Sequence, residues 1–306
     1  MVGSLVLNRF LIERRIGSGG FGTVYEAWDG RLERSVAVKA IESGSAPGSG
    51  RVLREAQAAA RLNHPGIVTL YEMGEEDGNA LLVTELVEGK TLAELNRADS
   101  LSDREIGEIG ADLCEALAHA HARAVVHRDI KPQNVLVTDE GEPRAKLMDF
   151  GVARLTDAAA MTAPGDVVGT LAYMAPEQAE GQAAGPEADV YSLALMLYES
   201  WSGAHPTRRT SPAATARAIG ARFRPLHRLR PDLPRELCEA VDAGLQPRPG
   251  RRPSLEELGS AIEDSLEKLA DHAPHAARGL PLRLAAIAAA AVIGACLAAG
   301  HGVLLP

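Results

Sequence analysis

The hydrophobic pattern of this 306-residue chain changes period near Gly89, and that change limits its fold more than any other feature. Ahead of it, Leu11-Ile12 and Val24-Tyr25 flank a glycine cluster, and Val36-Ala37-Val38 is a short β-rich run. Residues 5–41 therefore read as strands. Residues 43–50 (SGSAPGSG) are turn formers and read as a connector. Val52, Leu53, Ala56, Ala59 and Ala60 fall at helical spacing until His64-Pro65 stops them, which predicts a helix over 51–62. Two more strands are expected around 67–71 and 81–86. Beyond Gly89 the spacing is helical. Thr91-x-x-Glu94, Ser102-x-x-Glu105 and Ser254-x-x-Glu257 each fit a capping box, which satisfies the free N–H groups of a first turn. Ile106, Ile109, Leu113 and Leu117 line one apolar face. Residues 190–198 (VYSLALMLY) are apolar nearly all round and suit a helix at the centre of a lobe. Leu237, Val241 and Leu245, then Leu258, Ile262, Leu266 and Leu269, mark two further helices. The reading is α+β: a small, mainly β lobe over 1–88 with one helix, and a larger, mainly α lobe over 89–270.

Composition narrows the function. A net charge of −9 gives no reason to expect a nucleic-acid partner. Aromatics are only 4%, so the core must be mostly aliphatic. The three cysteines, Cys114, Cys238 and Cys296, fit neither a zinc spacing nor a disulfide framework, as expected in a reducing compartment; Cys114 and Cys238 read as core fillers. Asn8 and Arg9 interrupt the N-terminal apolar residues, which argues against a secretory signal.

Five motifs carry chemistry. Gly17-Ser18-Gly19-Gly20-Phe21-Gly22-Thr23-Val24 fits G-x-G-x-x-G-x-V, where missing Cβ atoms let backbone N–H groups approach phosphate oxygens. A strand follows it rather than a helix, which disfavours a dinucleotide turn. Lys39 ends the apolar run Val36-Ala37-Val38 and would be costly to desolvate without an anion; phosphates or Glu55, mid-helix, could serve. The bland alternative is an edge lysine reaching water. Further on come His127-Arg128-Asp129-Ile130-Lys131-Pro132-Gln133-Asn134, then Asp149-Phe150-Gly151 and Ala175-Pro176-Glu177. Each residue alone is more often a surface polar group, but the ordered set is not a chance arrangement.

From about Phe10 to Leu269 these motifs resemble eukaryotic-type serine/threonine protein kinases, including the bacterial receptor-type members. The resemblance implies a two-lobed protein-kinase fold using ATP and Mg²⁺, with Mn²⁺ as a substitute, and protein substrates. It implies that Ile16 and the segment from Gly17 to Val24 cover the nucleotide, with Lys39 and Glu55 as the phosphate-holding pair. Glu85 and Val87 would pair with adenine, with Thr84 as gatekeeper and Ala37 against the base. Asp129 would orient the hydroxyl and take its proton, Lys131 would steady the γ-phosphate, and Asn134 and Asp149 would hold the metal. Lys131 and Gly169-Thr170 match the serine/threonine pattern, with Thr170 set to bond Asp129 and Lys131. Glu177 and Arg252 match a buried ion pair, and Asp189 matches an aspartate that holds the catalytic-loop backbone. Arg128 suits regulation by a phosphate in the segment between Gly151 and Ala175, with Thr162 the first candidate and Thr156 the second; autophosphorylation in trans would use a homodimer.

Two stretches depart from this pattern. The family's Pro-Phe is replaced by His205-Pro206-Thr207, and seven arginines (208, 209, 217, 222, 224, 228 and 230) lie between Ser200 and Asp232 without one acidic residue. A solvated face is the simpler reading of those arginines, over docking of an acidic substrate or anionic lipid. Residues 284–305 carry no Asp, Glu, Lys or Arg, and His301 is their one histidine. As a helix they would span about 33 Å, against about 30 Å of hydrocarbon. Lys268, Arg278 and Arg283 precede them and no cation follows, so a single span would leave the kinase cytoplasmic, with 271–283 as a linker. A helix packed on the kinase is the alternative. A membrane-tethered pseudokinase and a small-molecule kinase are the competing functional readings; the first would lack catalytic residues and the second would lack the Ala175-Pro176-Glu177 segment.

Overall fold

Side chains that alternate between inside and outside make the first six strands one antiparallel sheet. Phe10 and Ile12 are buried while Leu11 is exposed, and Ala27 and Asp29 are buried on either side of exposed Trp28. The computed structural model describes residues 1–19, 22–42, 60–138, 144–150 and 171–271, all within one compact unit, Met1–Ala273. Its strands β1 (Leu5–Val6), β2 (Phe10–Gly19), β3 (Gly22–Asp29), β4 (Arg34–Glu42), β5 (Leu70–Glu76) and β6 (Asn79–Glu85) lie in the order β1-β2-β3-β4-β6-β5. One face packs Phe10, Ile12, Ala27, Val36, Val38, Leu81 and Val83 together; Ile41 and Leu82 form a second, smaller cluster. Asp77 and Gly78 have φ of 51° and 74° and close the β5–β6 hairpin, as a two-residue turn of that handedness requires. Asp29 is fully buried because Arg9 grips it with two hydrogen bonds of 2.7 and 2.8 Å; the guanidinium holds the carboxyl down to about 2.

The helical part follows a short strand β7 (Lys90–Thr91), which pairs with β8 (Val135–Val137), itself paired on its other edge with β9 (Ala145–Leu147). Helices α1 (Leu92–Ala98) and α2 (Asp103–His121) begin with the two expected capping boxes. After them come α3 (Pro176–Ala179), α4 (Pro186–Ser202), α5 (Pro212–Ala218), α6 (Leu226–Leu229), α7 (Arg235–Gly244) and α8 (Leu255–Glu263), the last with the third capping box. Helix α4 is the hub: Leu193 to Leu197, Tyr191 and Trp201 are all fully buried, as its all-round apolar sequence anticipates. It packs with α2, α7 and α8 in one core that also holds Cys114 and Cys238.

Three expectations shift. The strand expected over 67–71 starts at Leu70, and Ile67 instead makes an isolated parallel bridge to Leu147 of β9. The last helix ends at Glu263; Leu266 lies in a separate 3-10 turn (Leu266–Lys268), and Leu269 still buries into the core beyond it. The arginine-rich stretch is not all solvated, because Arg230 is buried between Asp103 and Asp232 and donates 2.7 Å to the Trp201 carbonyl. The expected helix over 51–62, apart from its last residues, and the expected span over 284–305 lie outside the described residues. Among the described residues no helix is long and apolar enough to cross a membrane.

Candidate active site

The site begins with a lysine in the middle of a sheet. Lys39 pairs with Val24 of β3 and Leu82 of β6, so its backbone is fixed on both sides. Its ammonium reaches Asp149 Oδ2 at 2.6 Å, with both side chains largely buried. Glu55, the other expected partner, lies outside the described residues, as do Gly20 and Phe21. The rest of the glycine segment is the β2–β3 hairpin: Gly17, Ser18 and Gly19 face Val24, Thr23 and Gly22, and Ile16 is exposed at the end of β2. Gly22 is obligatory on two counts. Its φ is +118°, and a Cβ there would stand 2.2 Å from the Ala40 carbonyl oxygen.

The loop between α2 and β8 supplies the opposing wall. Asn134 donates from Nδ2 to the Asp129 carbonyl (2.8 Å) and to Asp129 Oδ2 (3.0 Å), and Lys131 Nζ sits 2.7 Å from the same Oδ2. Lys131 and Asn134 are both buried. Because Asn134 spends its amide nitrogen on Asp129, its Oδ1 is left as an oxygen donor; Asp149 likewise has Oδ1 beyond the oxygen that takes Lys39. Two hard oxygens at this wall suit a small divalent cation. The donor set fits the metal that the sequence implies.

Asp189, which the sequence singled out, holds this wall together with His127 of the same motif and with groups to which the sequence assigned no role. His127 donates from Nε2 to the Met148 carbonyl at 2.9 Å and accepts at Nδ1 from the Asp129 N–H at 3.2 Å. The two bonds fix the neutral Nε2–H tautomer. Its ring meets Phe150 edge-on at 4.6 Å. Asp189, on the first turn of α4 and wholly buried, accepts from the N–H groups of His127 (2.8 Å) and Arg128 (2.7 Å) and from His121 Nε2 (2.8 Å). His121 gave no signal in the sequence, since His119 two residues earlier looks the same. Gln178 Nε2 donates to the Arg128 carbonyl at 3.0 Å and so ties α3 to the loop. Lys146 of β9 reaches Glu85 Oε1 at 2.5 Å, bridging the small sheet to the end of β6.

Glu85 is therefore engaged by its side chain as well as its backbone, and its N–H donates to the Thr69 carbonyl at 2.9 Å. Beyond it Leu86 and Val87 are half-buried with no regular structure, while Ala37 and Thr84 pair across β4 and β6. Arg252 holds Glu177 with two bonds of 2.6 and 2.8 Å; both side chains are buried, and the guanidinium also donates to the carbonyls of Gln246, Glu187 and Pro247. The geometry thus brings Lys39 to Asp149, and Asp129 to Lys131 and Asn134. Thr162 and Thr170 lie outside the described residues.

The protein kinase domain family matches residues 10–261. The chain belongs to that family. Among its similar relatives, the serine/threonine-protein kinase PknA of Mycobacterium tuberculosis is 40% identical over 260 residues, covering 82% of this chain and 59% of the relative. PrkC of Bacillus subtilis, also a serine/threonine-protein kinase, is 40% identical over 210 residues, covering 67% of this chain and 32% of the relative. The chain thus spans about three fifths of the length of PknA and about a third of that of PrkC. Among solved structures, the kinase domain of Mycobacterium tuberculosis PknI superimposes with a TM-score of 0.69 at 26% identity, covering 87% of this chain and 98% of that one.

Proposed function

We propose that this kinase transfers the γ-phosphate of ATP to serine or threonine hydroxyls of protein substrates. The observation that carries the reading is the meeting of Lys39 with Asp149 beside a wall in which Asp129, Lys131 and Asn134 are bonded to one another. Phosphoryl transfer needs alignment and charge neutralisation more than covalent chemistry. In this scheme Lys39 positions the phosphates, and Asp129 Oδ2 orients the substrate hydroxyl and receives its proton. The hydroxyl oxygen bonds to the γ-phosphorus as the bond to the β–γ bridging oxygen breaks, and ADP leaves. Lys131 balances charge on the transferring oxygens. Asn134 Oδ1 and Asp149 would hold Mg²⁺, which when bound draws charge from the phosphate oxygens. The backbone of Glu85 and Val87 would take adenine, with Ala37 against its face.

Regulation belongs to the same proposal. Arg128 is half-buried, and its Nε has no hydrogen-bond partner among the described residues. A phosphate on Thr162 would supply charge-assisted bonds there, placed by a second copy in trans. Incubation of the full chain with labelled ATP, Mg²⁺ and a protein substrate, followed by mass spectrometry, tests both steps. Phosphoserine and phosphothreonine are expected, with phosphate on Thr162; phosphotyrosine as the main product would overturn the specificity, and an unmodified Thr162 in active protein would overturn the regulation.

The lobes divide at 88 and 89 in this reading, 271–283 link the kinase to the membrane, and 284–305 span it with the kinase cytoplasmic. The support is the absence of Asp, Glu, Lys and Arg in 284–305 and the three cations that precede it. The full chain is expected to need detergent for extraction from membranes; release by alkaline carbonate alone would contradict the span.

A further inference from the structure

The chain carries a net charge of −9, yet residues 201–231 hold seven arginines and no acid, a local formal charge of +7. Two of the seven pair with acidic side chains, and Arg224 donates to the Arg228 carbonyl at 3.3 Å. Arg230 is buried against Asp103 and Asp232, and Arg208 bridges Glu199 at 2.9 Å and the Tyr173 hydroxyl at 2.9 Å. Arg209 turns back onto the carbonyls of Pro206 and Arg208. Arg217, Arg222 and Arg228 are exposed, and among the described residues their side chains make neither an ion pair nor a hydrogen bond. Like charges gathered without counter-charges repel one another, so such a patch is stabilised by an anionic occupant.

Its placement narrows that occupant. The arginine-bearing segment is pinned at two points to residues 172–176, which lead into α3. Thr207, fully buried, donates its hydroxyl to the Ala172 carbonyl at 2.5 Å. Gly220, at φ +73°, lies so close to Pro176 that a Cβ would stand 3.3 Å from its Cγ. Arg217 and Arg222 therefore flank the point of contact with Pro176, and Gln178 two residues further on is bonded to the catalytic loop at Arg128. Through Gln178 this ledge is one hydrogen bond from Arg128, the neighbour of Asp129 in the chain. About six extended residues reach some 20 Å, so side chains near the acceptor come within range of the patch.

We propose that Arg217 and Arg222 form a docking surface for acidic side chains flanking the phosphoacceptor in a protein substrate. This deepens the kinase reading and rests on it. An anionic membrane surface is the competing occupant of a basic patch, but membrane-surface helices bring large apolar side chains beside their cations. Among the described residues, the large exposed apolar side chains, Trp28, Leu11 and Tyr71 among them, lie in the β-rich lobe, and α5 offers only small residues beside Arg217.

The test uses the full chain and paired threonine peptides that differ only in Glu or Gln at positions flanking the acceptor. Wild-type kinase is expected to prefer the Glu peptides by at least about fivefold in kcat/KM at low salt, through KM, with the preference shrinking as salt rises. The double variant Arg217→Ala/Arg222→Ala is expected to lose the preference while its turnover of the Gln peptide stays unchanged. Equal use of both peptides by wild type, or a preference that survives in the variant, would overturn the proposal. So would a variant that loses affinity for phosphatidylglycerol vesicles but keeps its peptide preference, since the membrane would then be the occupant. Fluorescence anisotropy of labelled Glu and Gln peptides reads the surface without turnover. If no peptide is phosphorylated at all, the kinase reading fails, and anisotropy still decides the docking surface by whether wild type, and not the variant, binds the Glu peptide more tightly.

Discussion

Arg128 and Asp149 hold φ angles of 67° and 66°, the left-handed region that non-glycine residues rarely enter. Each such residue costs about 1–3 kcal/mol and persists only where its surroundings over-determine it. For Arg128 the surroundings are plain: Asp189 takes its N–H and that of His127, and Gln178 takes its carbonyl. For Asp149 they are Lys39 at the carboxylate and, one residue earlier, Met148 bonded through both backbone groups to Asn134 and His127. The strain aims two carboxylates, Asp129 and Asp149, from adjoining backbones. A second residue-scale device is Glu177 with Arg252. Charges buried together depend on each other, and removing one leaves the other unpaired in a poorly solvating place. Glu177→Gln is expected to cost about 3–5 kcal/mol of stability by urea unfolding; a loss under about 1 kcal/mol would show that water or another acid compensates Arg252.

At the scale of elements, α2 is the post to which the small sheet is fastened. Asp112, half-buried on α2, accepts from the Ala145 N–H of β9 at 3.0 Å. Burial, with Glu115 and Glu108 nearby, pushes its carboxyl up from 3.8 to about 6. A carboxyl raised in this way is no burden below its unfolded value. It costs stability progressively as pH rises from about 4 through 6, where the folded state must give up a proton it holds more tightly than the unfolded chain does. Asp112→Asn keeps an oxygen for Ala145 and removes that cost. The variant should have a higher thermal midpoint than wild type at pH 7.5, with the gap closing toward pH 4; a gap that stays constant with pH would contradict the ionisation. Elements of this kind were readable where their signals are local. Thr91, Ser102 and Ser254 each cap a helix within three residues of their partners, so spacing alone placed all three helix starts. The β5 start was misplaced because Ile67 is β-prone but bridges to Leu147, eighty residues away in the chain, a contact no local window contains. The Asp77-Gly78 turn, by contrast, is a local two-residue hairpin signal legible in the sequence.

At the scale of the molecule, two ion pairs among the described residues join the β-rich lobe to the helical one across the site: Lys39 to Asp149, and Glu85 to Lys146. The family's motifs made the first lysine and its aspartate readable as parts of one site, although 110 residues separate them. Lys146, His121 and Gln178 were invisible, because each acts through a partner about 50 to 70 residues away and belongs to no motif of its own. Arg230 reads as a surface charge in the sequence for the same reason: its buried partner Asp103 is 127 residues distant, at the first turn of α2. In the proposed function, the same long-range contacts serve to place one hydroxyl, one metal-bound triphosphate and one proton acceptor together. The direct test of that claim is transfer of label from the γ-phosphate of ATP to a protein substrate by the full chain and by Asp129→Asn. Wild type is expected to move the label to protein and the variant to be slower by at least about a hundredfold with nucleotide binding intact. Label that never leaves the nucleotide in wild type, or an Asp129→Asn variant that transfers it equally well, would contradict the account.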